Sequence, residues 1–225
     1  GFNIVLSFKK DEKAAAQVVS DIQKSGGAAE MIRADLSLAD SANDITRTTI
    51  ERFGRIDVLI NNAGVSSNKS LIADTPDLEW NEIIEVNLHG VFRMMKAVVP
   101  HMRQQKKGNI VNISSNITKR LAPTFGTYAI SKAALETMTQ IVAKEEAANG
   151  IRVNAVAPGP IKTDMLEKLL KEMGAKRAKS FVDSMPMKRM GTADEIANMV
   201  AMLTSDVASF VTGQIIYVNG GGPGT

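Results

Sequence analysis

Short apolar runs alternate with amphipathic helical patterns along the whole chain, and this alternation constrains the fold more than any other feature. The apolar runs are rich in β-branched residues and predict strands at residues 2–8, 28–35, 55–64, 108–115, 151–159 and 214–221. Apolar residues at helical spacing predict helices at residues 11–27, 40–53, 77–107, 128–148 and 192–205. Strand–helix alternation is typical of a parallel sheet covered by helices on both faces. We therefore predict an α/β fold with three layers, in a single domain spanning residues 1–225.

The composition excludes several classes of protein. The chain contains no cysteine, so disulfides and thiolate chemistry are excluded. Its net charge is +3, but basic and acidic residues are interspersed and aromatic residues make up only 4%. This balance argues against nucleic acid as a partner and suits an anionic small molecule or an acidic carrier protein. The sequence has no signal-peptide pattern and no apolar run of bilayer length, so we expect a cytoplasmic protein without membrane contact.

Polar residues cluster where the predicted strands end. In an open α/β sheet, ligands bind outside the carboxyl ends of the strands. The residues predicted to lie there are Asp35, Asn61 to Gly64, Ser114, Ser115 and Pro158 to Thr163. His89 and His101 are not included, because neither has an acid or a second histidine at metal-ligand spacing. We therefore expect a ligand site at this edge and no metal site.

Tyr128 and Lys132 lie four residues apart in a predicted helix, so their side chains share one face. Two interpretations are open. The lysine could extend past a half-buried aromatic ring to reach solvent, which is common and carries no function. Alternatively, the ammonium could be placed to favour the phenolate and lower the pKa of the phenol. The spacing alone does not separate the two.

Four motifs occur together in a fixed order: Asn-Asn-Ala-Gly at 61–64, a strand ending at Ser115, Tyr128 with Lys132, and Pro-Gly-Pro-Ile-Lys-Thr-Asp-Met at 158–165. In this order they resemble the short-chain dehydrogenase/reductase family, over essentially the whole chain. The stretches at 77–98 and 191–221 are most similar to 3-oxoacyl-[acyl-carrier-protein] reductases. The resemblance implies a Rossmann-type doubly wound sheet, a dinucleotide-dependent oxidoreductase and a homotetramer packed through the helices of Asn87 and Tyr128 and the last strand.

Ketone reduction needs a hydride donor, a proton donor and hydrogen bonds to the developing oxyanion. Tyr128 is the candidate general acid, and Lys132 is the charge expected to lower the pKa of its phenol. The resemblance implies that Lys132 also holds the nicotinamide ribose, that Ser115 donates to the substrate carbonyl, and that Asn87 holds a water for proton relay. Ser114 is expected to point away from the site. Simpler roles remain open, because Ser115 could cap a strand end and Asn87 could bond backbone in a kinked helix.

The cofactor preference depends on the end of the first predicted strand. In dinucleotide-binding folds an acid at the corresponding place bonds the adenosine ribose and repels a 2′-phosphate. This chain has Phe8 there, followed by Lys9 and Lys10, so NADP(H) is favoured and NAD(H) remains possible. The two lysines could equally be an ordinary solvated strand exit. The predicted cofactor contacts are Lys9, Asp35, Leu36, Asn61, Ala63, Gly64, Tyr128, Lys132, Pro158, Gly159, Ile161 and Thr163.

The sequence departs from the family at its beginning. The family opens with a strand and a glycine-rich TGxxxGxG turn, whereas residues 2–8 resemble its second strand. The glycines at 220–222 and 224 follow a strand but do not lead into a helix. Without the family's first strand, the sheet is expected to split at its centre and expose two apolar edges. Either about 30 residues, roughly one βα unit, precede the given sequence, or the chain is truncated.

The segment at 163–191 is expected to form a lid over the substrate. Its apolar side chains, with Phe181 among them, suit an acyl chain, but such lids also serve sugars, steroids and simple ketones. Carrier-bound 3-oxoacyl reduction is the leading hypothesis, with another alcohol, sugar or steroid dehydrogenase as the alternative. Arg103, Lys106 and Lys107 could dock an acidic carrier protein or form a solvated helix end. A non-catalytic binding module and an inactive fragment are the hypotheses of another class.

Overall fold

The computed structural model describes residues 1–222, apart from the side chains at positions 164, 165, 168 and 169. Residues 223–225, which end the glycine cluster noted above, lie outside this part. Its strands are β1 Ile4–Phe8, β2 Ala29–Arg33, β3 Val58–Asn61, β4 Gly108–Ile113, β5 Ile151–Pro158 and β6 Ile215–Val218. Its helices are α1 Glu12–Lys24, α2 Ser41–Phe53, α3 Asp77–Ile84, α4 Gly90–Gln105, α5 Ile117–Arg120, α6 Gly126–Glu146, α7 Asp164–Met173, α8 Ala175–Asp183 and α9 Ala193–Thr204.

Every strand pair in the described residues is parallel, which confirms the predicted sheet. The predicted strands at 28–35, 55–64 and 108–115 run past the observed ends at Arg33, Asn61 and Ile113. The polar residues that follow therefore lie in loops beyond the sheet. Because parallel strands end at one edge, these loops converge there.

Helices cover both faces of the sheet, as expected for a doubly wound fold. On one face, α2, α4 and α6 pack on β3, β4 and β5 around buried side chains such as Met102, Ile110 and Leu135. On the other face, α9 packs through Val200 and Leu203 against Val111 and Val156. Burying apolar surface on both sides explains why apolar residues of β4 and β5 occur on both faces of each strand.

The sheet has two parts, as expected from the sequence. β1 pairs with β2, while β3, β4, β5 and β6 form a second group in that order. Ile4 in β1 and Ile60 in β3 are 37% and 48% exposed, so both inner edges carry uncovered apolar side chains. The parts share one core, because Ile32 and Ala34 pack against the cluster built by α2 and α4.

Candidate active site

A cleft of about 1240 Å³ opens at the carboxyl edge of the sheet. Its walls include Ser115 after β4, Tyr128 on α6 and the loop that follows β5. The predicted site residues in its lining are Ser115, Tyr128, Pro158, Gly159, Ile161 and Thr163. The ends of β4 and β5 and the first turn of α6 thus bring together residues that are far apart in sequence.

Lys132 lies behind Tyr128, away from solvent. Its side chain is only 4% exposed, and Nζ lies 5.8 Å from the centre of the Tyr128 ring. Nζ donates a 2.7 Å hydrogen bond to the Ile113 carbonyl at the end of β4. The interpretation of a lysine reaching solvent is therefore wrong, because the ammonium is buried and bonded inside the protein.

The expected lowering of the Tyr128 pKa is also wrong for the protein without ligand. Burial raises the pKa of the phenol, and hydrogen bonding by the neighbouring Ser115 hydroxyl offsets this only in part. Burial also lowers the pKa of Lys132 to about 8, because the ammonium has lost its hydration. Burial is thus the main cause of both shifts. At neutral pH the phenol holds its proton, which is the form that a general acid needs.

The Ser115 hydroxyl is bonded to the turn that follows it. The Ile117 amide donates to Oγ at 3.3 Å, since the chain turns into α5 directly after the serine. This bond uses one of the two lone pairs of the oxygen and leaves the hydroxyl proton available for donation. Ser114 also belongs to the lining of the cleft, but it is only 3% exposed and its hydroxyl donates to Glu136 on α6 at 2.7 Å. Its expected orientation away from the site stays a prediction.

Asn87 lies in a π-helical turn, Glu85–His89, that the sequence had predicted as ordinary helix. Its amide nitrogen donates to the Val65 carbonyl at 2.9 Å and to Ser131 Oγ at 3.1 Å. Its oxygen accepts from the Val65 amide at 2.8 Å. Asn87 therefore joins the loop after β3 to α6. This is the backbone-bonding role left open above. Its predicted role in holding a water stays a prediction.

The residues on the adenosine side of the predicted cofactor site lie at the ends of β1 and β2. Lys9 Nζ forms a 2.8 Å ion pair with Asp35, and this contact together with Ser37 lowers the pKa of the Asp35 carboxyl to about 2. The Leu36 carbonyl accepts a 3.3 Å hydrogen bond from Arg93 on α4. The loop carrying Asp35 and Leu36 is thus fixed before any cofactor binds.

Asn61 differs from its neighbours in the same motif. It is 7% exposed, and its amide donates to Asn112 Oδ1 at 2.8 Å inside the protein. Its side-chain nitrogen is thus used inside the protein. By contrast, Ala63 and Gly64 are exposed, although neither belongs to the lining of the cleft, to which their neighbour Asn62 contributes.

These residues leave room for a dinucleotide. A Cβ on Gly64 would lie 3.2 Å from Asn87 Oδ1 and 3.5 Å from Lys132 Nζ, so glycine keeps the space before both groups open. A Cβ on Gly159 would lie 2.7 Å from the Asn219 Cα, where no side chain fits. The space before Asn87 and Lys132 therefore fits the nicotinamide end of the dinucleotide that the resemblance implies.

The predicted lid segment forms two helices, α7 and α8, joined at Gly174 with φ +78°. Its ends are held together, because the Lys162 amide donates to the Gly191 carbonyl and the Gly191 amide to the Pro160 carbonyl. Leu166 and Glu172 line the cleft, and the Arg120 guanidinium lies 5.8 Å from the centre of the Phe181 ring. The predicted lid residue Met165 lies outside the described side chains.

Arg103, Lys106 and Lys107 lie at the opposite edge of the sheet from the cleft, and their suggested role in docking a carrier protein stays a prediction. They end α4 just before β4 begins at Gly108, and the strand separates them from Ser115 by about 20 Å. Arg103 instead pairs with Glu146, which is 2% exposed. This contact lowers the pKa of the Glu146 carboxyl. Arg103 thus compensates a buried charge at the opposite edge.

The described residues contain no cluster of His, Cys, Asp or Glu that could hold a metal ion. In the same part of the chain, no helix is both long and apolar enough to cross a bilayer.

Comparison with known proteins places these features in a family. A family model described as enoyl-(acyl carrier protein) reductase matches residues 1–222. A 3-oxoacyl-[acyl-carrier-protein] reductase of Staphylococcus epidermidis is 35% identical over 98% of this chain and 88% of its own length. One from Synechocystis is 37% identical over 98% of this chain and 87% of its own length.

Among solved structures, levodione reductase has a TM-score of 0.93 at 33% identity, covering 98% of this chain and 88% of that one. NAD⁺-bound xylitol dehydrogenase has a TM-score of 0.92 at 29% identity, covering 98% and 89%.

The chain therefore belongs to the short-chain dehydrogenase/reductase family. It has the Rossmann-type fold of that family and is an oxidoreductase acting on CH–OH or C=O groups.

Proposed function

We propose that this protein is an NADPH-dependent carbonyl reductase whose substrates are 3-oxoacyl groups on acyl carrier protein. The observation that carries the proposal is the pair of hydroxyls, Ser115 and Tyr128, beside each other in the cleft with a buried ammonium behind them. Two O–H groups that meet at one point suit a single carbonyl oxygen. The reductase names of relatives that match nearly the whole chain support the acyl substrate.

Each residue has a distinct task in this proposal. The nicotinamide, held by Lys132 and the loops at Gly64 and Ile161, would supply the hydride to the carbonyl carbon. Ser115 Oγ donates to the carbonyl oxygen with its hydroxyl proton, which the bond from the Ile117 amide leaves available. Tyr128 then transfers its phenolic proton to the oxygen that becomes the alcohol. Lys132 stabilises the phenolate that remains.

A substrate panel tests the function. NADPH absorbance would be followed with 3-oxoacyl thioesters, trans-2-enoyl thioesters, a sugar and a cyclic ketone. The enoyl thioester is included because the matching family model carries that description. We expect the 3-oxoacyl thioester to be turned over fastest. Turnover of the enoyl thioester alone, or of none of the four, would overturn the proposal.

The carrier protein is expected to approach over α5, where Lys119 and Arg120 are exposed beside the cleft. Reversing both charges with Lys119→Glu and Arg120→Glu should raise KM for the carrier-bound substrate about tenfold, because an acidic partner loses two attractive charges. The KM for a short thioester without carrier should stay within about twofold. The matched control is the pair Lys106→Glu and Lys107→Glu at the opposite edge. An equal effect of both pairs would contradict docking at α5.

The preference for NADP(H) is proposed from Lys9, which holds a half-exposed charge at the end of β1. Lys9→Gln should raise KM for NADPH about tenfold, the size expected for one charge-assisted contact to phosphate. The KM for NADH should change less than about twofold, since NADH lacks the 2′-phosphate. Lys24→Gln, at the far end of α1, is the control. Faster turnover with NADH than with NADPH in the parent protein would refute the preference.

We also propose a cytoplasmic homotetramer. Phe92 on α4 and Ile130 and Ile141 on α6 are 45–51% exposed, which suits helix packing between copies. Light scattering measures the assembly, and a monomer at micromolar concentration would count against it.

A further inference from the structure

The carboxylate of Glu136 collects three hydroxyl groups next to the candidate active site. Ser114 Oγ donates to Oε1 at 2.7 Å, and Thr118 Oγ1 lies 2.9 Å from the same oxygen. The Tyr217 hydroxyl lies 3.4 Å from Oε2 and 3.2 Å from Thr118 Oγ1. Among the side chains that the structure describes, no lysine or arginine forms an ion pair with this carboxylate. Its partners are therefore neutral donors from other parts of the chain.

These partners come from three different places in the fold. Ser114 directly follows β4, Thr118 lies on α5, and Tyr217 lies in β6. Glu136 itself follows Lys132 by one helical turn and Tyr128 by two, so the phenol, the ammonium and the carboxylate share one face of α6. Helix α6 therefore carries the candidate acid Tyr128 and, through Glu136, also binds the segment that contains Ser115.

Ser115 lies between the two hydroxyl residues that Glu136 binds most closely. Thr118 Oγ1 also lies 3.1 Å from the Ser115 carbonyl, so its single proton is shared between that carbonyl and Glu136. The Ile117 amide donates to Ser115 Oγ. The Asn116 amide is bonded to the Pro158 carbonyl on β5. The backbone of residues 114–118 is therefore held on both sides of Ser115, and Glu136 supplies the acceptor for both flanking side chains.

We propose that Glu136 is a positioning residue for carbonyl reduction, an inference that rests on the proposed function of Ser115. Through Ser114 and Thr118 it fixes the turn that keeps Ser115 Oγ beside the Tyr128 phenol. A displacement of about 1 Å at a reacting group can lower a rate by as much as 10²-fold, so a carboxylate outside the cleft can act strongly through this turn.

Kinetics of Glu136→Ala and Thr118→Val give the first test. We expect kcat for the 3-oxoacyl thioester to fall about tenfold or more in each, with the dissociation constant for NADPH within about twofold of the parent. Glu136→Gln keeps one acceptor oxygen and should recover part of the rate. The matched controls are Thr137→Val and Glu145→Gln, on exposed positions of the same helix, which should leave kcat unchanged.

A double-mutant cycle separates positioning from general destabilisation. If Glu136 acts through Ser115, then Glu136→Ala should lower kcat less than about twofold further in a Ser115→Ala background. Independent, multiplicative losses would overturn the proposal. So would a kcat for Glu136→Ala equal to that of the parent.

Hydrogen exchange gives a readout that does not depend on turnover. The amides of residues 116–118 should exchange faster in Thr118→Val and Glu136→Ala than in the parent, and at the parent rate in Thr137→Val. Unchanged exchange in both variants would refute the ordering role even if activity fell. A parent protein that reduces no ketone would refute the proposed function, and the exchange data would still decide whether Glu136 orders the turn.

Discussion

Tyr128→Phe is expected to lower kcat for ketone reduction by about 10²–10⁴-fold, the range that general acid catalysis contributes. The substitution removes one oxygen and keeps the ring, so the packing of α6 and the walls of the cleft should remain. Because burial raises the pKa of the phenol, the proton is present on Tyr128 at neutral pH in the parent protein. The variant has no group at that position from which the alkoxide can take a proton.

The chain offers a matched control, since its only other tyrosine is Tyr217. Tyr217→Phe removes a hydroxyl whose contacts are long, at 3.2 and 3.4 Å, and outside the cleft. Its kcat should fall less than about tenfold. Dinucleotide binding, followed by NADPH fluorescence, should be retained in both variants. A Tyr128→Phe enzyme that turns over at the parent rate would rule out the proposed acid.

The general architecture could be predicted from the sequence because it depends on local periodicity. Runs such as residues 108–113 and 151–158 are mostly apolar, as is typical of strands covered on both faces. The position of Ser115 and of the loop after β5 followed, since parallel strands end at one edge. The split of the sheet between β1 and β3 could also be expected from the order of the strands.

The properties that the sequence did not indicate correctly depend on tertiary surroundings. The π-helical turn at Asn87 goes with hydrogen bonds to Val65, which is 22 residues away. The direction of the Tyr128 pKa depends on burial, which the spacing to Lys132 does not reveal. Glu136 carried a signal, because it continues the face of Tyr128 and Lys132, but its partner Tyr217 lies 81 residues further along.

Lys132→Met is expected to combine a large loss of activity with a gain in stability at neutral pH. The loss of activity should be at least about 10²-fold, because no cation remains to stabilise the phenolate. The gain has a separate cause. Burial lowers the pKa of Lys132 from 10.5 to about 8, so at pH 7 the folded protein holds a charge that has lost its hydration. Methionine fills a similar volume without that charge.

The sign of the pH dependence follows from the two pKa values. Between about pH 8 and 10.5 the unfolded chain keeps the Lys132 proton while the folded chain releases it, so the free energy of unfolding of the parent rises with pH. Below pH 8 the penalty is complete and constant. A difference of about 2.5 pH units (10.5 minus 8) corresponds to a free energy on the order of 3 kcal/mol.

One interaction works in the opposite direction. Lys132→Met leaves the Ile113 carbonyl without its 2.7 Å hydrogen bond, which lowers stability by about 1 kcal/mol. The variant should therefore be more stable than the parent by about 2 kcal/mol at pH 7, and this advantage should disappear as the pH approaches 10.

Urea unfolding of both proteins at pH 7, 8, 9 and 10 measures the difference. Using the difference cancels the titration of groups that both proteins share. Lys107→Met, at an exposed position, should show a difference near zero at every pH. If Lys132→Met were less stable than the parent at pH 7 by an amount that did not change with pH, then burial of the ammonium would not lower the free energy of unfolding of the parent. The lysine would then be a stabilising anchor for β4. The result expected here instead makes Lys132 a residue whose charge lowers the stability of the fold and is needed by the proposed reaction.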